Sequence, residues 1–480
     1  MLGDKILGKL LKDSVIYGGG DVLARVVSFI TFPIIAGALS VEGYGVLELT
    51  ITLITMGGLI ARCGVNNAAQ RFYWDPMTPE DQRPSVVTAG LVITISLGIV
   101  LASLVGIFHD LVFQSGAGRV TIIGAAGAIG LALLMPLTTW TQYLQDVLRL
   151  HFAPWKFIGF SFVTRAFSAV LAAVAAVMLN AGVGGVLLAQ GLVLLVAFPL
   201  GLWLIKRDLT KRLDRVWIWR LLAYGAPFIL TEAAFWLFSS IDRWMLATMI
   251  GAQEVGLYSA SFRVSLLASF VATAFGMAWS PYAVKLQSEH PTRFKNMYAE
   301  ILVLLLLVML VVGGAIALFS GELLGWLLPA EFAGAGAPLC ILSLCVVVQA
   351  TQQITAVGIS LSKKTHLFIY LVSAAAGVNV LLNLELIPLF GAAGAAWATL
   401  IAHMMLTLGY MFCSQYVYPI SFPKGRLMWL AAIGAILLWS ALALHSTELS
   451  AYLILLKLTV LMVCGLVGWS AVRIQVLRPS

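Results

Sequence analysis

The stretch ILVLLLLVMLVVGGAIA, Ile301–Ala317, runs seventeen residues without a charge or a strong hydrogen-bonding side chain. That approaches the ~20 apolar residues needed to cross a bilayer as a helix. Inside hydrocarbon every backbone N–H and C=O must be satisfied by the protein itself, which leaves helices and closed barrels. Barrel strands alternate polar and apolar residues. This run does not alternate, so it reads as a helix. The rest of the 480-residue chain has the same character: 61% of residues are hydrophobic, 10% are charged, and the mean hydropathy is +0.99. Soluble domains carry about 25% charged residues. A water-soluble enzyme, a secreted domain and a disordered regulator are therefore excluded. The expected fold class is an all-α polytopic membrane protein.

Fourteen apolar segments can be counted between residues 15 and 473, which predicts 14 transmembrane helices. Loop charge tests the count. With the N-terminus inside, the cytoplasmic loops and tails hold 21 Lys and Arg residues, densest at Lys206, Arg207, Lys211, Arg212 and Arg215. The outer loops hold one, Arg119, against acids such as Glu42, Asp110 and Glu254. This is the positive-inside pattern. It places both termini in the cytoplasm. Met1–Ser14, with Lys5, Lys9 and Lys12 opposite leucines, reads either as an interfacial helix or as a frayed basic end.

An internal repeat follows. LRLHFAPWKF (Leu148–Phe157) and ISLSKKTHLF (Ile359–Phe368) are offset by 211 residues. At the same offset Gln142 meets Gln353, Gly45 meets Gly256, and Asp21 meets Glu232. Close to it, Gly182–Gly185 meets Gly391–Gly394. Six helices per copy is an even number, so the two six-helix repeats are parallel. Transporters built this way place substrate between the halves. The expected lobes are residues 1–212 and 213–418, with 419–480 supplying two appended C-terminal helices.

Several charges fall inside the predicted spans: Asp21, Arg25, Arg62, Arg165, Glu232, Asp242, Arg243 and Arg263. Intramembrane charges are costly and mark functional sites unless they neutralise one another. Asp21 and Arg25 are one helical turn apart and can pair locally. Asp242 and Arg243 are adjacent, and each can pair across helices. Arg62, Arg165 and Arg263 have no acid one turn away. Glu48, Arg220, Glu385 and Lys457 lie near span ends, where snorkelling to the interface is the simpler reading. Five arginines against three acids favour an anion, because guanidinium grips phosphate or carboxylate with two parallel hydrogen bonds.

Enzyme signatures are missing. The sequence holds no P-loop, no HExxH and no GxSxG. The six histidines are scattered, and the five cysteines form no CxxC pair. No catalytic residue, metal site or bound cofactor is expected. A proton or sodium gradient is the candidate drive, and the net charge of +8 belongs to cytoplasmic loops rather than to nucleic-acid binding.

The segment KDSVIYGGGDVLARVVSFITFPIIAGALSVEGYGVLEL resembles the opening of the polysaccharide and O-antigen flippases, which translocate lipid-linked oligosaccharides. These belong to the multidrug/oligosaccharidyl-lipid/polysaccharide exporter superfamily. GVNNAAQRFYWD (Gly64–Asp75), IDRWMLATMIGAQEVGLYSASFRV (Ile241–Val264) and NVLLNLELIPLFGAAGAAWATL (Asn379–Leu400) are similar to later parts of that family. The resemblance implies two lobes around a cavity and transfer of undecaprenyl-diphosphate-linked sugars to the outer leaflet of a bacterial inner membrane. It implies cavity charges at Arg25, Arg62, Arg243 and Arg263, with Asp21 and Asp242 as charge partners or coupling sites. Arg165 matches no motif of the family. The implied partners are the lipid-linked sugar diphosphate and membrane lipid, with a polysaccharide polymerase and other assembly proteins as candidates. A drug/cation antiporter of the same superfamily, or a membrane-embedded polysaccharide polymerase or ligase, stays open as an alternative.

The topology is testable by single-cysteine labelling. A cysteine at position 446 should react with an impermeant maleimide from outside the cell, and one at position 362 only after permeabilisation. Outside labelling at 362 would overturn the orientation.

Overall fold

A computed structural model describes residues 2–107, 125–151, 153–276, 279, 294–362, 364, 366–420, 422–445, 450–470 and 472. For residues 2–23, 125–127 and 294 it describes the backbone alone. The side chain of Asp21 and those of the basic N-terminal stretch thus lie outside the described residues. The protein is helical, with no strand among the described residues.

The main helices are α1 (Leu2–Arg62), α2 (Val65–Tyr73), α3 (Arg83–Ile107), α4 (Ala125–Leu150), α5 (Pro154–Val177), α6 (Gly182–Leu204), α7 (Arg215–Met249) and α8 (Ala252–Ser265). They continue as α9 (Leu267–Gly276), α10 (Phe294–Leu318), α11 (Ser320–Leu327), α12 (Gly336–Thr355), α13 (Val357–Leu361), α14 (His366–Val417), α15 (Lys424–Ala443) and α16 (Ala451–Trp469). Among the described residues, ten helical runs are long and apolar enough to cross a membrane, or eleven if the bent pair α8–α9 is one span. The protein is a multi-pass membrane protein.

Two of those runs exceed one crossing. The 39 residues Ala24–Arg62 would extend about 58 Å, and the 52 residues of α14 about 78 Å, against a hydrocarbon core of about 30 Å. Each is broken once. Ser40 has φ +64° and ψ 172° within α1, and Gly391 has φ +55° and ψ −132° within α14. Fourteen crossings require dividing both runs there and counting α4 and the α8–α9 pair.

The chain divides into two compact units, Met1–Leu237 and Phe238–Ser480. The breaks recur with the sequence repeat. Ser40 in the first unit and Gly251 in the second, 211 residues apart, both leave the helical region at positive φ, +64° and +145°. Gly182 and Gly391 share φ values of +59° and +55°. At Gly391 the left-handed backbone and the Glu254 carboxylate both exclude a side chain: Glu254 Oε2 accepts the Ala392 N–H at 2.6 Å, where a Cβ on Gly391 would collide with it.

In the first unit α4 packs between α3 and α6, and α1 lies against α4 and α5. Its core holds Val86, Tyr143, Leu144, Phe160 and Trp217. The Tyr143 hydroxyl donates to the Val87 carbonyl at 3.0 Å. In the second unit α12 is the most enclosed helix, held by α10 and α14. Helices α15 and α16 pack on each other and on α10.

Lys457 does not snorkel. It is 0% exposed, and its Nζ donates to Glu322 Oε1 of α11 at 2.6 Å. Glu48 is buried too, and accepts the Tyr44 hydroxyl at 2.8 Å. A partner one turn away, or folded in from 135 residues upstream, removes the need to reach the interface. Replacing Lys457 by Met should cost about 3–5 kcal/mol by stranding Glu322. The double change Lys457→Met/Glu322→Leu should recover most of that, read as melting temperature in detergent. An undiminished Lys457→Met protein would show that the pair does not anchor α16.

Candidate functional site

Helix α1 stops at Arg62 because Cys63 and Gly64 turn left-handed, at φ +48° and +63°. The turn lies directly on α7. A Cβ on Gly64 would overlap the Gly225 carbonyl, and one on Gly225 would overlap Cys63 O. Two glycines facing each other let the backbones approach this closely. Seven residues beyond Gly225, two turns along the same face of α7, stands Glu232.

This close approach sets Arg62 Nη2 3.8 Å from Glu232 Oε2. Asn67 Nδ2 donates to Glu232 Oε1 at 3.5 Å. Both contacts sit at the long limit of their kind. The Arg62 and Glu232 side chains are 18% and 24% exposed. Arg62 Nε and Asn66 Oδ1 are buried with no hydrogen-bond partner. Asp146 lies within electrostatic reach of Arg149, Arg62 and Glu232, and pairs with Arg149 at 3.4 Å. The pair is therefore loosely made, and further polar capacity surrounds it.

Arg165 sits elsewhere in the first unit, on a π-helical turn, Val163–Phe167, inside α5. It is exposed and lines a cavity of about 320 Å³ together with Gln142, Gln145 and Gln190. Arg25 lies on an exposed face of α1 and makes interactions of its own.

In the second unit Asp242 and Arg243 turn to each other and to α8. Arg243 Nη1 lies 3.8 Å from Asp242 Oδ1 and donates to the Ser239 carbonyl at 3.0 Å. Its Nε donates to Ser259 Oγ at 3.4 Å, and the guanidinium lies 5.0 Å from the Phe262 ring centre. The Tyr258 hydroxyl donates to Asp242 Oδ2 and lies 3.2 Å from Thr399 Oγ1. Arg243 is only 7% exposed. Its bonding is spent on holding α7 to α8. Arg263, on α8, is half-buried and also has partners.

Residues that local sequence could not mark meet at one end of the first unit. The Tyr73 hydroxyl lies 3.0 Å from His151 Nε2 and donates to Asp208 Oδ1 at 3.4 Å, and His151 is 3.0 Å from Asp208. Burial, then the Asp208 charge, raises the Tyr73 pKa, so the phenol stays protonated and able to donate. The three residues come from three predicted cytoplasmic loops.

The family profile described as polysaccharide biosynthesis protein matches residues 10–287, more than half of the chain. The chain belongs to this family. The MatE profile matches residues 227–384. A Haemophilus influenzae protein of the Lsg locus is 23% identical over 283 residues, covering 57% of this chain and 66% of the relative. The chain thus aligns with just under two thirds of that relative's length. Among solved structures, the lipid II flippase MurJ in an inward closed conformation is similar at TM-score 0.73 and 13% identity, covering 97% of this chain and 100% of that one. An inward-facing multidrug resistance MATE family transporter of the MOP superfamily is similar at TM-score 0.68 and 14% identity, covering 85% and 96%. The fold is a transporter fold.

Gly64 can be tested against Gly159, which has open space around it. Gly64→Ala should lower stability by about 1–3 kcal/mol, from the left-handed backbone and the contact with Gly225. Gly159→Ala should leave stability the same or slightly higher. Equal melting temperatures for the two variants would remove the glycine contact as the device that sets Arg62.

Proposed function

We propose that the protein flips an undecaprenyl-diphosphate-linked oligosaccharide from the inner to the outer leaflet of a bacterial inner membrane, for cell-surface polysaccharide. Residues 1–212 and 213–418 act as two lobes that alternate access, and 419–480 is an accessory helix pair. Membership of a polysaccharide-biosynthesis family and the flippase-like fold support the reading. The observation that carries it is the loose Arg62–Glu232 pair, with an unsatisfied guanidinium Nε beside it.

A lone arginine in the membrane costs about 3 kcal/mol on insertion scales. A long ion pair offsets only part of that. A diphosphate, accepting two parallel hydrogen bonds, offsets more. Arg62 is the principal ligand in this scheme, with Glu232 the resident counter-ion displaced on loading. Arg25, Arg165 and Arg263 supply further positive charge along the path. Arg243 acts through packing and field rather than direct grip. Asp21, Glu232 and Asp242 are the candidates for coupling to a proton or sodium gradient. The MatE match keeps one competitor, a drug/cation antiporter, which would need Glu232 and not Arg62.

Arg62→Ala should abolish surface polysaccharide with membrane abundance maintained, and Arg62→Lys should retain part of it. If the pair is purely structural, Arg62→Ala lowers abundance, and adding Glu232→Gln restores both abundance and transport. Full transport in Arg62→Ala would sink the assignment. Resistance to organic cations that depends on Glu232 alone would favour the antiporter.

A further inference from the structure

The cavity beside Arg165 lies wholly in the first unit, among α1, α4, α5 and α6. Its lining is chemically unusual for a membrane bundle. Ten of its fourteen residues are polar: eight neutral hydroxyl or amide side chains and two arginines. A groove in the second unit, along Leu371, Met404 and Phe412, is apolar throughout, as a lipid-facing surface should be. Polar side chains cost free energy in such surroundings unless hydrogen-bonded. Thr55, Thr138, Thr141, Thr164, Gln145 and Arg149 have partners within the protein, which leaves the gathering of Gln142, Gln190 and Ser168 beside Arg165 around the same space to be accounted for.

Their bonding state defines what they can take. Thr138, Thr141 and Thr164 donate to carbonyls of their own helices at 2.6, 2.7 and 2.9 Å, leaving oxygen lone pairs as acceptors. Gln145 Nε2 donates to Thr164 Oγ1 at 3.3 Å. Ser168 Oγ is buried with no partner. Gln142 and Gln190 each bring two donors and an acceptor. Among the described residues no Asp or Glu lines the space, which argues against a cation. Mixed donors and acceptors over an Ile and Leu floor fit a ring carrying several hydroxyl groups. Arg149 pairs with Asp146 at 3.4 Å, and Arg165 fits an anionic substituent on the ring. At about 320 Å³ the cavity lies at the small end of ligand pockets, which suits one sugar ring.

Two further observations agree. The π-helical turn Val163–Phe167 carries Thr164 and Arg165, both lining residues, and such turns are frequent at functional sites. Thr55, at the cavity, precedes Arg62 by seven residues, about 10 Å along α1. Gln145, also at the cavity, adjoins Asp146, which senses the Arg62 charge. Thr55 at the cavity and Arg62 of the loose ion pair thus share one face of α1.

We propose that this cavity is a sugar subsite, holding the first pyranose of the lipid-linked saccharide through Gln142, Gln190 and Ser168, with Arg165 facing any acidic substituent. The proposal rests on the flippase reading and adds to it the part of the substrate that is recognised.

The test measures binding to the full chain in nanodiscs. The probes are farnesyl diphosphate and farnesyl diphosphate linked to glucose, N-acetylglucosamine or glucuronate. Wild-type protein should bind at least one glycosylated probe about tenfold more tightly than farnesyl diphosphate, the worth of one or two net hydrogen bonds. Gln142→Leu/Gln190→Leu should erase that preference and leave farnesyl diphosphate binding unchanged. Gln190→Leu alone, nearly isosteric, should reduce it and guards against misfolding of the double variant. Arg62→Ala should weaken all probes alike and keep the preference. Diphosphate binding without a sugar preference, or a preference that survives both glutamine variants, overturns the subsite but not the flippase. Failure of every diphosphate probe to bind overturns both.

Discussion

A charge inside hydrocarbon must find a partner, and how well it finds one separates scaffold from proposed site in this protein. Lys457 and Glu322 meet at 2.6 Å, with the lysine fully enclosed. Arg243 is held by Asp242, Ser239 and Ser259, with Phe262 beneath it. Such groups fix helices, although Glu322 keeps one buried carboxylate oxygen, Oε2, without a hydrogen-bond partner. Arg62 and Glu232 meet at the same 3.8 Å as Arg243 and Asp242, but Arg62 keeps a buried guanidinium nitrogen unsatisfied. Desolvation has been incurred there and incompletely repaid, the condition under which an arriving anion gains most. In the proposed scheme the same contrast favours Arg62 over Arg243 as the ligand, in line with the sequence, where Arg243 adjoins Asp242 and Arg62 has no acid one turn away.

The backbone supplies the juxtaposition. Glycines at 64 and 225 bring the end of α1 onto α7 and so place Arg62 beside Glu232. Similar left-handed breaks punctuate each unit where one helix turns into the next, at Ser40 and Gly251, and at Gly182 and Gly391. Their recurrence at offsets of 211 and 209 residues is what a duplicated unit requires, because the turn between helices is the part least free to drift.

The helical class, the membrane setting and the repeat were legible in the sequence because they rest on averages: apolar runs, loop charge and a shared offset. Asp242 and Arg243 were legible as charges in a span, and their partners on α8 were not. Contacts between residues far apart in sequence leave no local signal. Arg62 and Glu232 are 170 positions apart, Lys457 and Glu322 are 135 apart, and both pairs were read as separate residues. The break at Ser40 was also hidden, since serine seldom adopts positive φ. The polar cavity beside Arg165 was invisible for a different reason. Threonine and glutamine at helical spacing look like ordinary packing until four helices turn them toward one space. Gln142, matched to Gln353 by the repeat, and Arg165, a charge within a predicted span, were the hints.

The most direct measurement is reconstitution. Purified protein in liposomes, given a fluorescent lipid-linked saccharide diphosphate in both leaflets, should render nearly all of it accessible to an impermeant quencher, whereas protein-free vesicles protect about half. Protection of half the probe in both, with exchange of an organic cation by the protein vesicles, would contradict a diphosphate-binding flippase.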